Sequence, residues 1–217
     1  MIEALGDALS GLFGAIIGGV IVVSGQYILA EVLRRRDANY AAIRIVCLLE
    51  EYFEKCVEVV LDDGTFQGQP AGRTNEGQEY LKPRVSLPTT IAYPDDINWK
   101  SLSPKLMFRS FKLSNASISI NRSIVAASQD AFPPDYEEYF AARHEGYARL
   151  GIEALDLSKA FKKAYGISEE TKSDSYLYWD PEERLRSTLK EIEDRRKPAG
   201  TSPLDSLRDA TTETGKV

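Results

Sequence analysis

Apolar residues fall along this chain in two patterns: one uninterrupted run near the N-terminus, then blocks of helical period separated by breaker-rich segments. From Ala8 to Ala30 no side chain is charged, and Asp7 and Glu31 bound the run. About 20 apolar residues rising ~1.5 Å each cross a hydrocarbon layer of ~30 Å, so the run predicts a transmembrane helix. A cleaved signal peptide fits less well, because it carries a basic segment before a shorter apolar core. This chain has Glu3 and Asp7 there. A helix buried in a soluble domain also fits poorly, since the glycines between Gly11 and Gly25 disfavour helix in water. Arg34, Arg35 and Arg36 follow the run and act as a topology signal. Positive charge stays cytoplasmic, which predicts an outside N-terminus, residues 1–7, and a cytoplasmic body, residues 31–197. The bilayer is then the first partner.

Within the run, Gly11, Gly14, Gly18 and Gly25 share one helix face. Gly14-x-x-x-Gly18 is a small-xxx-small pattern, and Gly11, Ala15 and Gly19 repeat it on a neighbouring stripe. Small residues let two helix backbones approach closely in lipid. The Gly face therefore predicts a homo-oligomer or a membrane-protein partner, against the simpler fact that glycine is common in membrane helices.

Beyond the run, Ala42, Ile45, Leu49, Tyr52, Cys56 and Val59 recur at spacings of three and four, widened by Val46, Phe53, Val57 and Val60. Glu50, Glu51, Glu54, Lys55 and Glu58 fill the other side, an amphipathic helix pattern ending at Asp62-Asp63-Gly64. That triplet reads as a helix terminus finished by glycine, since the rest of a calcium loop is missing. Residues 62–98 hold too many glycines and prolines for a helix, and a connection this long either wraps the helices or is partly mobile. Arg84–Pro88 suits a short extended piece, without a sheet.

Ser103 and Pro104 open the next helix, to about Ala131. Leu106, Phe111, Leu113, Ile118, Ile120 and Ile124 are its apolar face, and the polar middle, Ser114–Ser119, predicts a bend or break. Trp99 and Leu102 are placed over one end of the core. Pro133-Pro134-Asp135 starts a helix ending at Tyr165, with Gly166 as its cap. Phe140, Tyr147, Gly151, Ala154, Ser158 and Phe161 line one face, with His144 at its edge. Asp180-Pro181-Glu182-Glu183 opens a last helix reaching about Lys197. Its few apolar residues, Leu185, Leu189 and Ile192, make it peripheral or partner-binding. The preceding Tyr176–Trp179 cluster is either a docking patch or a clasp on the bundle, and 198–217 reads as a disordered tail.

Composition narrows the chemistry. The chain has 217 residues and a net charge of −6, which argues against nucleic acid, whose binding needs a basic stripe. Cys47 and Cys56 are ~13.5 Å apart if both are helical, too far for a disulfide, and read as small core residues in a reducing compartment. One histidine and two distant cysteines make no zinc site, and no cofactor motif is present. The acid pairs Glu137-Glu138 and Glu182-Glu183 suit helix first turns without catalysis. His144 titrates near neutrality and is the one pocket candidate, with Arg143, Glu145 and Tyr147 near it in sequence; a packed histidine is the plainer reading, since no nucleophile motif accompanies it.

The glycine-rich run with Arg34-Arg35-Arg36, the segment Trp99-x-x-Leu102-x-Pro104-x-Leu106-x-x-Arg109, and Gly146–Leu155 running to Tyr165-Gly166 resemble a group of uncharacterised bacterial single-span membrane-anchored helical proteins. The likeness covers about residues 8–167. It implies a bacterial inner-membrane setting and transfers no activity, substrate or site residue. The expected fold is all-α: a transmembrane helix, residues 8–30, followed by a cytoplasmic three- to four-helix antiparallel bundle with a long irregular loop at about 62–98. The expected function is an interaction or scaffold module at the membrane; the alternative is a membrane-tethered ligand sensor or enzyme with a pocket between helices near His144.

Overall fold

The computed structural model describes residues 2–129, 131–168 and 180–196, with side chains described from Ser24 onward. The expected tail 198–217, the Tyr176–Trp179 cluster and the side-chain positions of Gly11, Gly14 and Gly18 lie outside these. Among the described residues the protein is all-helical, with four helices and little strand.

The first proline of the chain is Pro70, and one unbroken helix, α1 (Ile2–Leu61), precedes Asp62. Its C-terminal part buries the whole stripe from Ala42 to Val60 that the periodicity marks, together with Ala38 and Ala41, and Glu51, Glu54, Lys55 and Glu58 face water. From Ser24 to Asp37 no residue is buried, and Tyr27, Ile28, Leu29, Val32 and Leu33 stand exposed. Among the described residues no helix is long and apolar enough to cross a membrane. Of the expected span Ala8–Ala30, only Ser24–Ala30 falls within the described side chains.

Three further helices complete the bundle: α2 (Pro104–Gln129), α3 (Glu137–Tyr165) and α4 (Pro181–Arg196). Helix α3 is central and packs on each of the others. Pairs of contacts fix its direction. Ser158 meets Glu50 while Arg143 meets Asp62, so α3 is antiparallel to α1. Tyr165 meets Ser103 while Tyr147 meets Asn121, and Lys159 meets Glu182 while Glu145 meets Arg196. Helices α2 and α4 therefore also run against α3, which leaves α1 and α2 parallel to each other.

That parallel pair explains the long connection. A chain leaving α1 at Asp62 must return the length of the bundle before α2 begins. It first makes a minimal hairpin of β1 (Gly72–Arg73) and β2 (Glu79–Tyr80), pairing Gly72 with Tyr80 and Arg73 with Glu79. The sequence reading placed no sheet here and put its extended piece later, at Arg84–Pro88. The segment then runs back in steps: Val85 beside Asp62, Pro88 at the Tyr147 hydroxyl, Ile91 at Ser114 and Tyr93 at Ser110. Asp96 at Arg44 and Asn98 at Asp37 complete the return, before a single 3₁₀ turn, Trp99–Ser101. The loop wraps the helices, and Ile91, Ile97 and Leu102 join the core.

Three details differ from the sequence reading. Helix α2 passes through Ser114–Ser119 unbroken, because the Ser117 hydroxyl bonds the Ser114 carbonyl and the Ser114 hydroxyl bonds Ile91 O. Ser110 and Ser117 occupy core positions of α2, whereas Phe111 and Ile118 turn outward and are exposed. Cys47 is exposed, and only Cys56 is buried, where desolvation raises its thiol pKa.

Candidate functional site

The chemistry of the fold concentrates where α1 ends. Gly64, at φ +77°, turns the chain after Asp62-Asp63, and a Cβ there would lie 2.5 Å from the Phe140 ring. The tight turn directs the Asp62 side chain into the bundle, where its exposure is 3% against 2% for Arg143. Asp62 Oδ2 accepts from Arg143 Nη2 at 3.0 Å and from the Arg84 and Val85 amides at 2.8 and 2.9 Å. Its Oδ1 accepts from Gly64 N at 3.1 Å. Arg143 Nη2 also donates to Val85 O at 2.7 Å, and the guanidinium lies over the Tyr139 ring. One carboxylate thus ties α1, the returning segment and α3 together.

His144 sits one residue along. Its Nε2 lies 3.0 Å from the Asp62 carbonyl oxygen, and since a carbonyl only accepts, Nε2 carries the proton. Burial is the main reason its pKa falls below the ordinary 6.5; the Asp62 hydrogen bond opposes this, and the cations of Arg143 and Arg184 add to it. The ring is therefore neutral at pH 7, with Nδ1 left as an acceptor.

Beside it opens a cavity of ≈ 620 Å³ between the hairpin, the first turns of α3 and the face of α4. Tyr80, Tyr136 and Phe140 supply an aromatic wall, and Arg184, Thr188 and Arg195 project from α4. The size suits a small ligand. Of the residues near His144 in sequence, however, the fold brings none of the other three to this cavity. Arg143 is held in the ion pair, and Tyr147 is buried, donating to Asn121 Oδ1 at 2.6 Å. Glu145 pairs with Arg149 and Arg196 on another face. Among the described residues no group of His, Cys, Asp and Glu is placed to hold a metal ion.

Of the topology signal, Arg34 and Arg35 both bond Glu31, at 2.9 and 2.8 Å, and Arg36 is exposed. Gly25 has open space around its Cβ position. The central role of Asp62 escaped the sequence reading. A clue lay in Arg143, a cation set between Phe140 and Tyr147 on an otherwise apolar stripe, which needs a buried acid.

The depressed pKa of His144 has a consequence for stability. Above the unfolded value of ~6.5 both states are neutral; below it the unfolded chain takes up a proton more readily, so stability falls as pH drops toward the folded pKa. The urea midpoint should decrease as pH is lowered through about 6.5. His144→Gln keeps a donor for Asp62 O and should flatten that dependence; an unchanged slope would show that His144 does not set it.

No protein-family model matches the chain, and neither curated proteins nor solved structures show a significant similarity to it.

Proposed function

We propose that this protein is an interaction module tethered to a bacterial inner membrane, with α1 as the anchor and the bundle as a cytoplasmic platform for a partner. The observation that carries this reading is the exposed apolar length of α1. Tyr27, Ile28, Leu29, Val32 and Leu33 project from the bundle with no cover among the described residues, on the same helix as the charge-free run before them. Apolar residues left open in this way are accommodated by lipid or by another protein. Arg34–Arg36 then lie at the level of anionic headgroups.

The reading of a ligand sensor or enzyme near His144 draws on the 620 Å³ cavity. It has less support, since the Nε2 proton of His144 is committed to a main-chain carbonyl and Arg143, Glu145 and Tyr147 are engaged elsewhere.

Two measurements on full-length protein in native membranes test the proposal. The chain should resist alkaline carbonate extraction, and a pull-down in mild detergent should recover a near-stoichiometric partner. Release by carbonate removes the anchor, and recovery of the chain alone removes the recruiting role. Gly14→Ile with Gly18→Ile should weaken cross-linking between anchors if the Gly face mediates contact; an unchanged pattern excludes that face.

A further inference from the structure

Helix α2 is apolar on two sides, and among the described residues only one of them is buried in the bundle. Leu106, Leu113 and Ile124 are buried in the bundle. On the other side Phe108, Phe111, Asn115, Ile118, Arg122 and Val125 follow one another at alternating spacings of three and four. That spacing makes a straight strip along a helix, of the kind into which a second helix packs. Phe108 is 68% exposed and Val125 53%, with Phe111 and Ile118 also open. Trp99 packs against Phe111 with ring centroids 4.6 Å apart and supports one end of the strip.

The charge on α2 selects the occupant. In a chain of net charge −6, α2 carries Lys105, Arg109, Lys112 and Arg122 and no acid at all. A second copy laid along this strip would set cations against cations, which opposes association. A lipid surface does not fit either. Asn98, just before α2, sits at Asp37, seven residues past Ala30 and so ~10 Å along α1, and from there α2 runs away from the anchor. Helix α2 runs parallel to α1, so its strip faces sideways from the membrane normal.

We propose that the outward strip of α2 is the docking surface for an acidic amphipathic helix of a partner protein. Its apolar residues cover Phe108, Phe111, Ile118 and Val125, and a carboxylate meets Arg122, the one cation inside the strip. This identifies the kind of partner in the interaction-module reading, and rests on it.

The test uses full-length protein in nanodiscs of zwitterionic lipid and two synthetic helices as probes. Both carry leucine at the a and d heptad positions; one carries glutamate and the other lysine at e and g. The acidic helix should bind at least about tenfold more tightly, and less tightly as salt is raised. Ile118→Glu should weaken it by about tenfold or more, and Arg122→Glu should shift preference toward the lysine helix. Both substitutions are at exposed positions, and an unchanged unfolding midpoint establishes that the bundle is intact. Equal affinities for the two helices, or no effect of Ile118→Glu, overturns the proposal. So does a photo-crosslinker at position 125 that joins two copies of this chain in cells, or a strip protected only when the nanodiscs contain anionic lipid. Carbonate extraction reads the anchor independently, so failure of the titration with extraction resistance intact removes the strip alone.

Discussion

Asp62→Ala should destabilise the bundle by about 3–5 kcal/mol, the largest effect expected of any single substitution at this end of the molecule. The substitution does two separate things. It leaves the Arg143 guanidinium buried without its carboxylate, and it strips the acceptor from the amides of Arg84 and Val85 where the returning segment meets α3. Arg143→Met should cost less, because Asp62 keeps the amides of Gly64, Arg84 and Val85 as donors while the cation is gone. Asp62→Ala with Arg143→Met should then cost less than the sum of the two single changes, since removing both charges leaves no unpaired ion in the interior. Urea unfolding of the full-length chain measures all four proteins. If Arg143→Met proves more damaging than Asp62→Ala, the carboxylate is not the hub and the weight lies in the packing of the arginine stem.

The same hub shows what local pattern reveals and what it cannot. Helix ends were legible at several backbone-specific residues, Pro104 and Pro181 at first turns and Gly166 at φ +63°, with Ile167 N bonded to Lys162 O, whereas α3 starts at Glu137, just beyond the expected Pro133-Pro134-Asp135. The buried face of α1 was legible as well, because ten apolar residues at spacings of three and four leave only one side for the core. Asp62 pairs with Arg143 across 81 residues, and no local period encodes a contact of that range. Helix α2 misled for a different reason. Its core positions include Ser110 and Ser117, whose hydroxyls bond carbonyls of their own helix and are thereby made fit for burial. An apolar count therefore drew Phe111 and Ile118 into the core, and their exposure is what marks the outward strip. The parallel placement of α1 and α2 follows from where the 62–103 segment returns, which only its tertiary contacts determine. For the cavity, His144 pointed to the right neighbourhood, but its walls come from the hairpin and α4, distant in sequence.

A second large effect is expected at Gly151, where three helices meet. A Cβ placed there would lie 3.0 Å from Cys56 Cβ on α1 and 2.6 Å from Leu185 Cδ1 on α4. These neighbours differ in how far they can yield. Cys56 Cβ is fixed to the backbone of a long helix, whereas Leu185 Cδ1 ends a rotatable side chain on a peripheral one. Space for atoms beyond Cβ must therefore come from α4. Little else holds that helix: Leu185 and Thr188 are its buried residues, and its links to α3 through Glu182, Arg186, Glu193 and Arg196 are ion pairs near the surface, each contributing at most about 1 kcal/mol. Gly151→Ala should lower stability despite about 1 kcal/mol of added helix propensity, because moving Leu185 leaves the 3.0 Å approach to Cys56 Cβ unrelieved. Gly151→Leu exceeds what a rotamer change accommodates and should cost about 3 kcal/mol, nearly all of it as undocking of α4. Hydrogen exchange separates local from global loss: amides of 181–196 should lose protection while those of 147–158 in α3 keep most of theirs. Because α4 forms one wall of the cavity beside His144 and takes no part in the α2 strip, the same variant should abolish any binding in the cavity and leave an acidic helix bound to α2. Full protection of 181–196 in Gly151→Leu would place the attachment of α4 elsewhere than at Leu185.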